Sequence, residues 1–183
     1  GPEIVLPGGQ LEHARLLAMG MARSKGWTIA QAGERRLLLE RKLELSAGQP
    51  LLFPHVRDTF DDALRRAGMQ GIGDVDGLET HDCFTVTEYM AIDHSGLTEP
   101  GQSWQAIEAG RIAPDGDFPV NPSGGLIGLG HPVGATGVRM LLDTARQVTG
   151  KAGDYQLPGA ENMITFNVGG STTTCASFVV GVG

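Results

Sequence analysis

Apolar residues recur at helical spacing in two long stretches of the sequence. Between residues 54 and 67, five of them share one helical face: Val56, Phe60, Ala63, Leu64 and Ala67. A second set lies just before Gly150: Val138, Leu141, Leu142, Ala145 and Val148. Gly68 and Gly150 follow the two runs as C-caps, because glycine readily takes the left-handed conformation that ends a helix. The spacing therefore predicts two amphipathic helices.

A predicted strand delivers the chain to a short polar motif. The predicted strand covers residues 75–80, and the motif that follows it is His81-Asp82-Cys83-Phe84. Residues 86–92 then predict a helix capped by Thr85 or Thr87. The motif therefore lies at a strand-to-helix junction. Such junctions lie at the carboxyl edge of a sheet, where open α/β sheets bind their ligands.

The last part of the sequence predicts a hairpin. Residues 163–168 and 176–182 predict two strands, which are joined by Gly169-Gly170-Ser171 and a run of threonines. With the elements before it, this order of strands and helices is typical of an α/β protein. We expect a mixed sheet with helices packed on its faces.

The first 45 residues have a helix-forming composition but offer no chemistry. Residues 11–25 and 34–45 predict helices, with Gly26-Trp27-Thr28 as a break and a candidate N-cap between them. The leucines at 37–39 and beyond are too crowded for an amphipathic stripe, which indicates a face that packs on further structure. Gly1-Pro2 has no methionine before it, so we expect the sequence to begin at a cloning remnant or a cut.

Composition and charge narrow the class of protein. The 183 residues fit one domain, and 14 basic against 21 acidic residues give a net charge of −7. No run of Lys or Arg predicts a nucleic-acid or anionic-membrane surface, and no apolar stretch or signal pattern predicts a membrane protein. Because no peroxisomal address ends the sequence, we expect a cytoplasmic protein. Both cysteines, Cys83 and Cys175, are expected to be free thiols.

Glycines and proton-transfer residues occur together. The 28 glycines are concentrated in residues 122–137 and 167–183, which indicates backbone turned closely around a site. His81, Cys83 and His131 are side chains that move protons near neutral pH, although each taken alone is more often structural. A zinc site on the same three residues has suitable ligand types but lacks a close-spaced pair of Cys or His ligands.

Two other kinds of site fit the sequence less well. A dinucleotide-binding loop would use Gly128, Gly130 and Gly134, but their spacing is Gly-x-Gly-x-x-x-Gly and a loop precedes them instead of a strand. A serine-hydrolase elbow requires Gly-x-Ser-x-Gly, and neither Ser123 nor Ser171 stands in such a sequence.

Two motifs resemble those of thiolases. Residues 121–137 read NPSGGLIGLGHPVGATG and resemble the thiolase signature, in which a Gly-His-Pro turn carries a catalytic histidine. His81-Asp82-Cys83-Phe84 resembles the motif of sterol-carrier-protein thiolases, where other thiolases have Asn-Glu-x-Phe. The resemblance implies that residues 46–183 are a thiolase C-terminal domain. Residues 1–45 would be a helical segment left from an N-terminal half, or a loop region.

The resemblance implies a fold and an activity. The fold has two similar halves, each with a mixed five-stranded sheet and packed helices, and this chain supplies the second half. The activity is that of an acyl-CoA C-acyltransferase, either thiolysis of a 3-oxoacyl-CoA or the reverse Claisen condensation, through an acyl-cysteine. The acyl-carrying cysteine belongs to the first half, and neither Cys83 nor Cys175 takes its place. A thiolase-like carbon–carbon lyase and a non-catalytic acyl-CoA-binding or assembly subunit remain alternatives.

The resemblance also implies roles for individual residues. His131 would activate the cysteine nucleophile and, with His81 and a water, hold the thioester oxygen as it becomes negative. Cys83 would be the second acid–base group, because Asn167 stands where commoner thiolases have that cysteine. Gly169 would donate its backbone N–H to a second oxyanion hole.

Substrates and partners follow from the same resemblance. It implies acyl-CoA and acetyl-CoA as substrates, with no metal and no permanently bound cofactor. The expected partner is an N-terminal thiolase half, on the same or another chain, in a homo-oligomer such as a dimer. Neither nucleic acid nor a membrane is expected to bind, and the sequence alone is expected to be inactive. Cys175 is expected to be a buried core residue.

Overall fold

The computed structural model describes residues 3–5, 27–32, 36–41, 53–170 and 172–182. The chain divides into two units, Gly1–Gln49 and Pro50–Gly183. None of the helices in the described ranges has the length and apolar character needed to cross a membrane.

The first unit contains a three-stranded antiparallel sheet. Its strands are β1 (Glu3–Val5), β2 (Trp27–Ala32) and β3 (Arg36–Arg41), and β3 lies in the centre. The helix predicted for residues 34–45 is therefore wrong over β3, and Trp27 and Thr28 begin a strand instead of capping a helix. The residues of β3 have good helix propensity, but pairing along both edges of the strand outweighs it. The helix predicted for residues 11–25 lies outside the described residues.

The second unit combines helices and strands in the order expected of an α/β fold. In chain order its elements are α1 (Pro54–Arg66), β4 (Leu78–Thr80), α2 (Thr85–Ser95), α3 (Ser103–Glu108), α4 (Gly125–Leu129), α5 (Thr136–Val148), β5 (Asn162–Gly169) and β6 (Thr174–Gly181). Two 3₁₀ turns, Ile72–Asp74 and Gly153–Tyr155, precede β4 and β5.

The sheet of the second unit is mixed, as predicted, but smaller than predicted. Its order is β4-β5-β6, with β4 and β5 parallel and β5 and β6 forming the predicted antiparallel hairpin. The expected five strands are not found: the described part of this unit has three, with one further parallel bridge between Leu78 and Val120. Pairing beside β4 stops there because Asn121, with φ of 53°, turns the chain away from the extended conformation.

α1 is the helix predicted from the first apolar pattern, and it supplies much of the core. Phe60 stacks on Phe166 of β5 with ring centroids 4.6 Å apart, and both side chains are fully buried. Gly68 follows the helix with φ of 77°, in the left-handed conformation expected of it. Ala67 was counted on the apolar face, but it is the C-cap residue and is exposed.

α2 covers the predicted helix and extends it by a turn. It begins at Thr85, but neither Thr85 nor Thr87 caps it, because the N-cap residue is Phe84 and no side chain makes a capping hydrogen bond to the backbone of the first turn. Phe84 has extended backbone angles, so the chain passes straight from the polar motif into the helix. Gly96, with φ of 93°, ends the helix.

α5 is a helix as predicted, but only Val148 of its predicted apolar stripe is buried, Leu141 and Ala145 are half-buried, and the part of the stripe formed by Val138 and Leu142 faces outward. Val138 is 70% exposed and Leu142 is 48% exposed. The buried face is largely polar: Thr136, Met140, Asp143, Thr144, Gln147 and Val148. A surface helix normally buries its apolar face and exposes its polar face. The exposed stripe on α5 is therefore a surface with the composition of a buried one.

Candidate active site

Two histidines from distant parts of the chain meet beside the sheet. His81 directly follows β4, and its backbone N–H donates to the carbonyl oxygen of Phe166 at 2.9 Å. His131 lies in the loop between α4 and α5. The two imidazole rings stand edge to face with their centroids 4.8 Å apart. This pair lies at the carboxyl end of β4, where the strand-to-helix junction was predicted to place His81.

His81 is held by a side chain from β5. Its Nδ1 lies 2.6 Å from Oδ1 of Asn167, and since a carbonyl oxygen only accepts, Nδ1–H is the donor. Burial lowers the pKa of His81, with the neighbouring His131 acting in the same direction, while the Asn167 bond and Asp82 oppose the shift. His81 is therefore neutral at pH 7, with a lone pair on Nε2.

His131 is held by the first residue of α5. Its Nδ1 lies 2.7 Å from Oγ1 of Thr136, whose hydroxyl donates to the Pro132 carbonyl oxygen at 3.2 Å. Because the hydroxyl proton is used in that second bond, Nδ1–H of His131 donates to Thr136. The Nε2 of neutral His131 is then free to accept a proton, as a general base must.

One pocket of about 550 Å³ contains all four residues that the thiolase resemblance selected. His81, Cys83, His131 and Gly169 line it, together with Asn167. The remaining lining residues are Phe84, Thr87, Val133, Val168, Gly170, Thr172, Thr174 and Ala176. A cavity of this size holds a small organic substrate.

Cys83 and Cys175 have different surroundings. Sγ of Cys83 lies 3.6 Å from Oγ1 of Thr87, one turn into α2, and its side chain lines the pocket. Cys175 lies on β6 and is half-buried instead of fully buried as expected; it packs against the main hydrophobic core, and its partial burial raises the pKa of its thiol. Both are free thiols. Only Cys83 is therefore placed to react with a molecule in the pocket.

The motif residue Asp82 links the strand-to-helix junction at His81 to the glycine-rich segment that precedes His131. Its side chain is buried, and Oδ1 accepts a hydrogen bond from the backbone N–H of Leu126 at 2.6 Å. Gly125 lies against the same carboxylate with φ of 61°, and a Cβ there would collide with Asp82 Oδ2. Glycine is required at this position because both the backbone conformation and the close approach exclude a side chain.

Asn121 adds a second tie between β4 and the glycine-rich loop. Its Oδ1 accepts from the backbone N–H of Thr80 at 2.7 Å, and its Nδ2 donates to Glu88 on α2 at 3.0 Å. Burial raises the pKa of Glu88, and the charge of Asp82 raises it further.

A buried carboxylate supports the loop from below. Glu79 is fully buried, and its two oxygens accept from the backbone N–H of Ser123 at 3.0 Å and from the Ser123 hydroxyl at 2.8 Å. Desolvation raises the pKa of Glu79 to about 7, against the opposing effect of the Ser123 bonds. Arg139 of α5 also donates to the Ser123 hydroxyl at 3.2 Å and forms an ion pair with Asp143 at 2.7 Å.

Sequence reasoning missed these supporting residues. No motif assigns a catalytic role to these residues, which are Glu79, Asp82, Asn121 and Thr136. Three of them form hydrogen bonds with partners more than 40 residues away in sequence. No local signal marked Glu79, because the predicted strand over residues 75–80 also contains Asp76 and Thr80. Among the residues that the structure describes, no three His, Cys, Asp or Glu side chains group as ligands of a metal ion would.

Comparison with known proteins identifies the family. Residues 40–182 match the family model described as thiolase C-terminal domain-like. This match covers most of the sequence, so the chain belongs to that family.

Individual relatives agree with the family match. The chain is similar to an acetyl-CoA acetyltransferase of Methanothermobacter thermautotrophicus, with 45% identity over 104 residues, or 57% of this chain and 27% of that protein. It is also similar to sterol carrier protein 2 of Rattus norvegicus, with 40% identity over 54% of this chain and 18% of that protein. The chain thus spans about a quarter or less of the length of these curated relatives.

A solved structure shows the same fold. The Ltp2-ChsH2(DUF35) aldolase superposes with a TM-score of 0.61 and 19% identity, over 70% of this chain and 32% of that chain. At this identity the likeness concerns the fold alone. It supports the thiolase-like α/β architecture of the second unit.

Proposed function

We propose that this protein is an acyl-CoA C-acyltransferase of the thiolase type, and that its second unit supplies the proton-moving part of the active site. The observation that carries the proposal is the single pocket lined by His81, Cys83, His131 and Gly169. The substrates are a 3-oxoacyl-CoA and free CoA, or two acyl-CoA molecules in the reverse direction. The family match and the similarity to an acetyl-CoA acetyltransferase support this choice of substrate class.

His131 acts as the general base in this reaction. Its Nε2 takes the proton from a cysteine thiol, and the thiolate attacks the C3 carbonyl carbon of the 3-oxoacyl-CoA. The C2–C3 bond then breaks, which leaves an acyl-cysteine and the enolate of acetyl-CoA. Protonated His131, with a water bound to His81, stabilises the thioester oxygen of acetyl-CoA as it becomes negative in the enolate.

Cys83 is the second acid–base group. Its S–H gives a proton to the enolate carbon of acetyl-CoA, and the thiolate that remains takes the proton of the incoming CoA thiol. CoA then attacks the acyl-cysteine, releases the shortened acyl-CoA and regenerates the nucleophile. Gly169 lines the same pocket and is the candidate backbone donor to a second oxyanion hole.

The nucleophilic cysteine comes from an N-terminal thiolase half, on this polypeptide or on another. Cys175 faces the core, and Cys83 is assigned to proton transfer, so neither is the acyl carrier. Exposed apolar side chains lie within a few residues of His81 or His131 in the sequence or follow on α5: Phe84, Ile127, Leu129, Val133, Val138 and Leu142. Phe84 and Val133 also line the pocket, so a partner that covers this surface reaches the reacting atoms. Apolar surface of this kind marks sites of protein association.

The position of the acyl group tests the proposed function. The intact protein, with any partner chain it needs, is incubated with acetoacetyl-CoA, and the acetylated cysteine is located by mass spectrometry. We expect the acetyl group on a cysteine other than Cys83 and Cys175. Acetyl on Cys83 would contradict its assigned role, and carbon–carbon cleavage of a 3-hydroxyacyl-CoA without any acyl-cysteine would favour the lyase alternative.

Cys83→Ala should separate proton transfer from acylation. We expect exchange of the acetyl-CoA methyl protons with deuterium from solvent to fall by about 10²-fold or more, as loss of a positioned acid–base group requires. Acylation of the nucleophilic cysteine by p-nitrophenyl acetate needs only His131 as the base, because p-nitrophenolate leaves without a proton, so it should persist. Cys175→Ala is the matched control, since Cys175 packs against the core and does not line the pocket. An equal loss of proton exchange and of this acylation in Cys83→Ala would contradict the assignment.

Thr136→Val should weaken His131 without removing it. Valine keeps the shape of threonine but cannot accept from Nδ1–H, so the imidazolium formed during catalysis loses a hydrogen bond. We expect kcat for thiolysis to fall about 10- to 10²-fold, since a bond to a charged group contributes roughly 1.5–3 kcal/mol. Thr136→Ser retains the hydroxyl and should stay within a few-fold of the unmodified protein. Equal activities of the two variants would show that the hydroxyl does not support His131.

A further inference from the structure

Asn167 occupies the position on β5 where its amide meets the buried edge of His81. The distance of 2.6 Å between Nδ1 of His81 and Oδ1 of Asn167 is short for a hydrogen bond that joins two neutral groups. Asn167 also lines the pocket, so it lies within reach of the same bound molecule. A residue at this position affects His81 whether or not it contacts substrate.

The orientation of the amide decides what His81 can do. If Oδ1 faces the imidazole, Nδ1 keeps the proton and Nε2 presents a lone pair. If the amide nitrogen faces it, Nδ1 accepts and Nε2 carries the proton. Neutral His81 would act as a hydrogen-bond acceptor in the first case and as a direct oxyanion donor in the second.

Gly137 on α5 constrains the other end of the amide. A Cβ at Gly137 would lie 2.8 Å from Nδ2 of Asn167, which is too close for contact without movement. The amide is therefore packed between the imidazole of His81 and the backbone of α5. This packing holds the side chain in place, and the hydrogen bond to His81 sets which atom faces the ring.

We propose that Asn167 is a positioning residue that holds neutral His81 in the Nδ1–H tautomer, so that Nε2 enters the site as an acceptor. His81 then reaches a negative oxygen through a water, whose one O–H donates to Nε2 and whose other O–H donates to the oxygen. This consequence for catalysis rests on the proposed function. The tautomer does not, since it depends only on residues within the chain.

The tautomer is measured directly by nitrogen NMR. The intact protein is labelled with ¹⁵N-histidine, and long-range proton–nitrogen spectra are recorded above the pKa of His81, whose signals are assigned with His81→Gln. We expect a protonated Nδ1 and an unprotonated Nε2. Asn167→Asp should keep this pattern, because a carboxylate only accepts, and it should raise the pKa of His81. Asn167→Ala should lose the pattern and shift the ring towards Nε2–H.

Two glycine variants test the packing. Gly137→Ala should displace Asn167 and alter the His81 nitrogen signals, while Gly128→Ala should leave them unchanged because its added methyl group meets open space. A protonated Nε2 in the unmodified protein, or inversion of the tautomer by Asn167→Asp, would overturn the proposal. So would an unchanged tautomer in Asn167→Ala.

Activity measurements keep the two proposals separate. If thiolysis occurs, Asn167→Asp should move the acidic limb of the pH profile of kcat upward, in line with the raised pKa of His81. If the expected tautomer is found but no acyl transfer occurs, the proposed function fails and the role of Asn167 stands. If acyl transfer occurs with the opposite tautomer, the role of Asn167 fails alone.

Discussion

His131→Ala is expected to lower kcat/KM for thiolysis of acetoacetyl-CoA by about 10²–10⁴-fold, the range for loss of a positioned general base. The reason is geometric. The Thr136 hydroxyl oxygen accepts a hydrogen bond from Nδ1–H of His131, so Nε2 is the free acceptor in a pocket that a thiol must enter. Without it the thiol must lose its proton to water before it attacks. Steady-state rates and the amount of acyl-cysteine formed in the first turnover, read by mass spectrometry, measure the loss.

Imidazole rescue separates chemistry from structure in this variant. An alanine at position 131 leaves space, so added imidazole should restore part of the rate if the missing group is a base. Since His131 is largely exposed, its removal should change the free energy of unfolding little. Undiminished formation of acyl-cysteine in His131→Ala would show that the assigned role is wrong. A loss of activity that tracks a loss of folded protein would do the same.

Local patterns predicted the three long helices of the second unit, α1, α2 and α5, but not the short helices α3 and α4. α1 and α5 could be predicted because the spacing of apolar residues is set by the helix itself. The hairpin of β5 and β6 could be predicted for a similar reason, since its turn residues join two neighbouring strands. β3 could not, because pairing with β1 and β2 depends on residues elsewhere in the sequence.

The apolar stripe of α5, which is buried at Val148 but exposed at Val138 and Leu142, shows a second limit. The sequence pattern correctly marked a face rich in Val138, Leu141 and Leu142, but periodicity cannot say what covers a face. In the described structure the polar side of the helix is buried instead, because Asp143 pairs with Arg139 and accepts from Tyr155 at 3.1 Å. One face of α5 can be buried because its charged groups are paired, and the other because its side chains are apolar.

The sequence motifs could predict which candidate reactive groups meet in the site, but not which residues hold them in place. Motifs selected His81, Cys83, His131 and Gly169, and the structure brings them to one pocket. The residues that hold these groups act through contacts between chain segments that no local pattern joins. Glu79 and Ser123, for example, are 44 residues apart. Hydrogen bonds of this kind become visible only once the strand and the loop are placed side by side.

Glu79 should make the stability of the protein fall as pH rises from about 4.5 to about 7. Its pKa is about 7 in the folded protein, chiefly because burial disfavours the charged form, whereas the ordinary value is 4.5. As pH rises through this window, the unfolded chain releases the proton first, so unfolding becomes easier. The stabilisation is therefore complete below pH 4.5, is lost between the two pKa values and stays lost above pH 7. A raised pKa of this size corresponds to roughly 3 kcal/mol.

Glu79→Gln should remove that pH dependence. The glutamine oxygen accepts from the Ser123 N–H, and its NH₂ donates to the Ser123 hydroxyl, as protonated Glu79 would. Urea unfolding at pH 5 and pH 8 measures the effect. The unmodified protein should lose about 2.5 kcal/mol relative to the variant between those two values, since pH 5 already lies slightly above the unfolded pKa. Glu108→Gln on α3 corrects for the loss of one exposed negative charge. If the free energy of unfolding falls more in Glu79→Gln than in the unmodified protein as pH rises, Glu79 is instead stabilised as a carboxylate by Arg139.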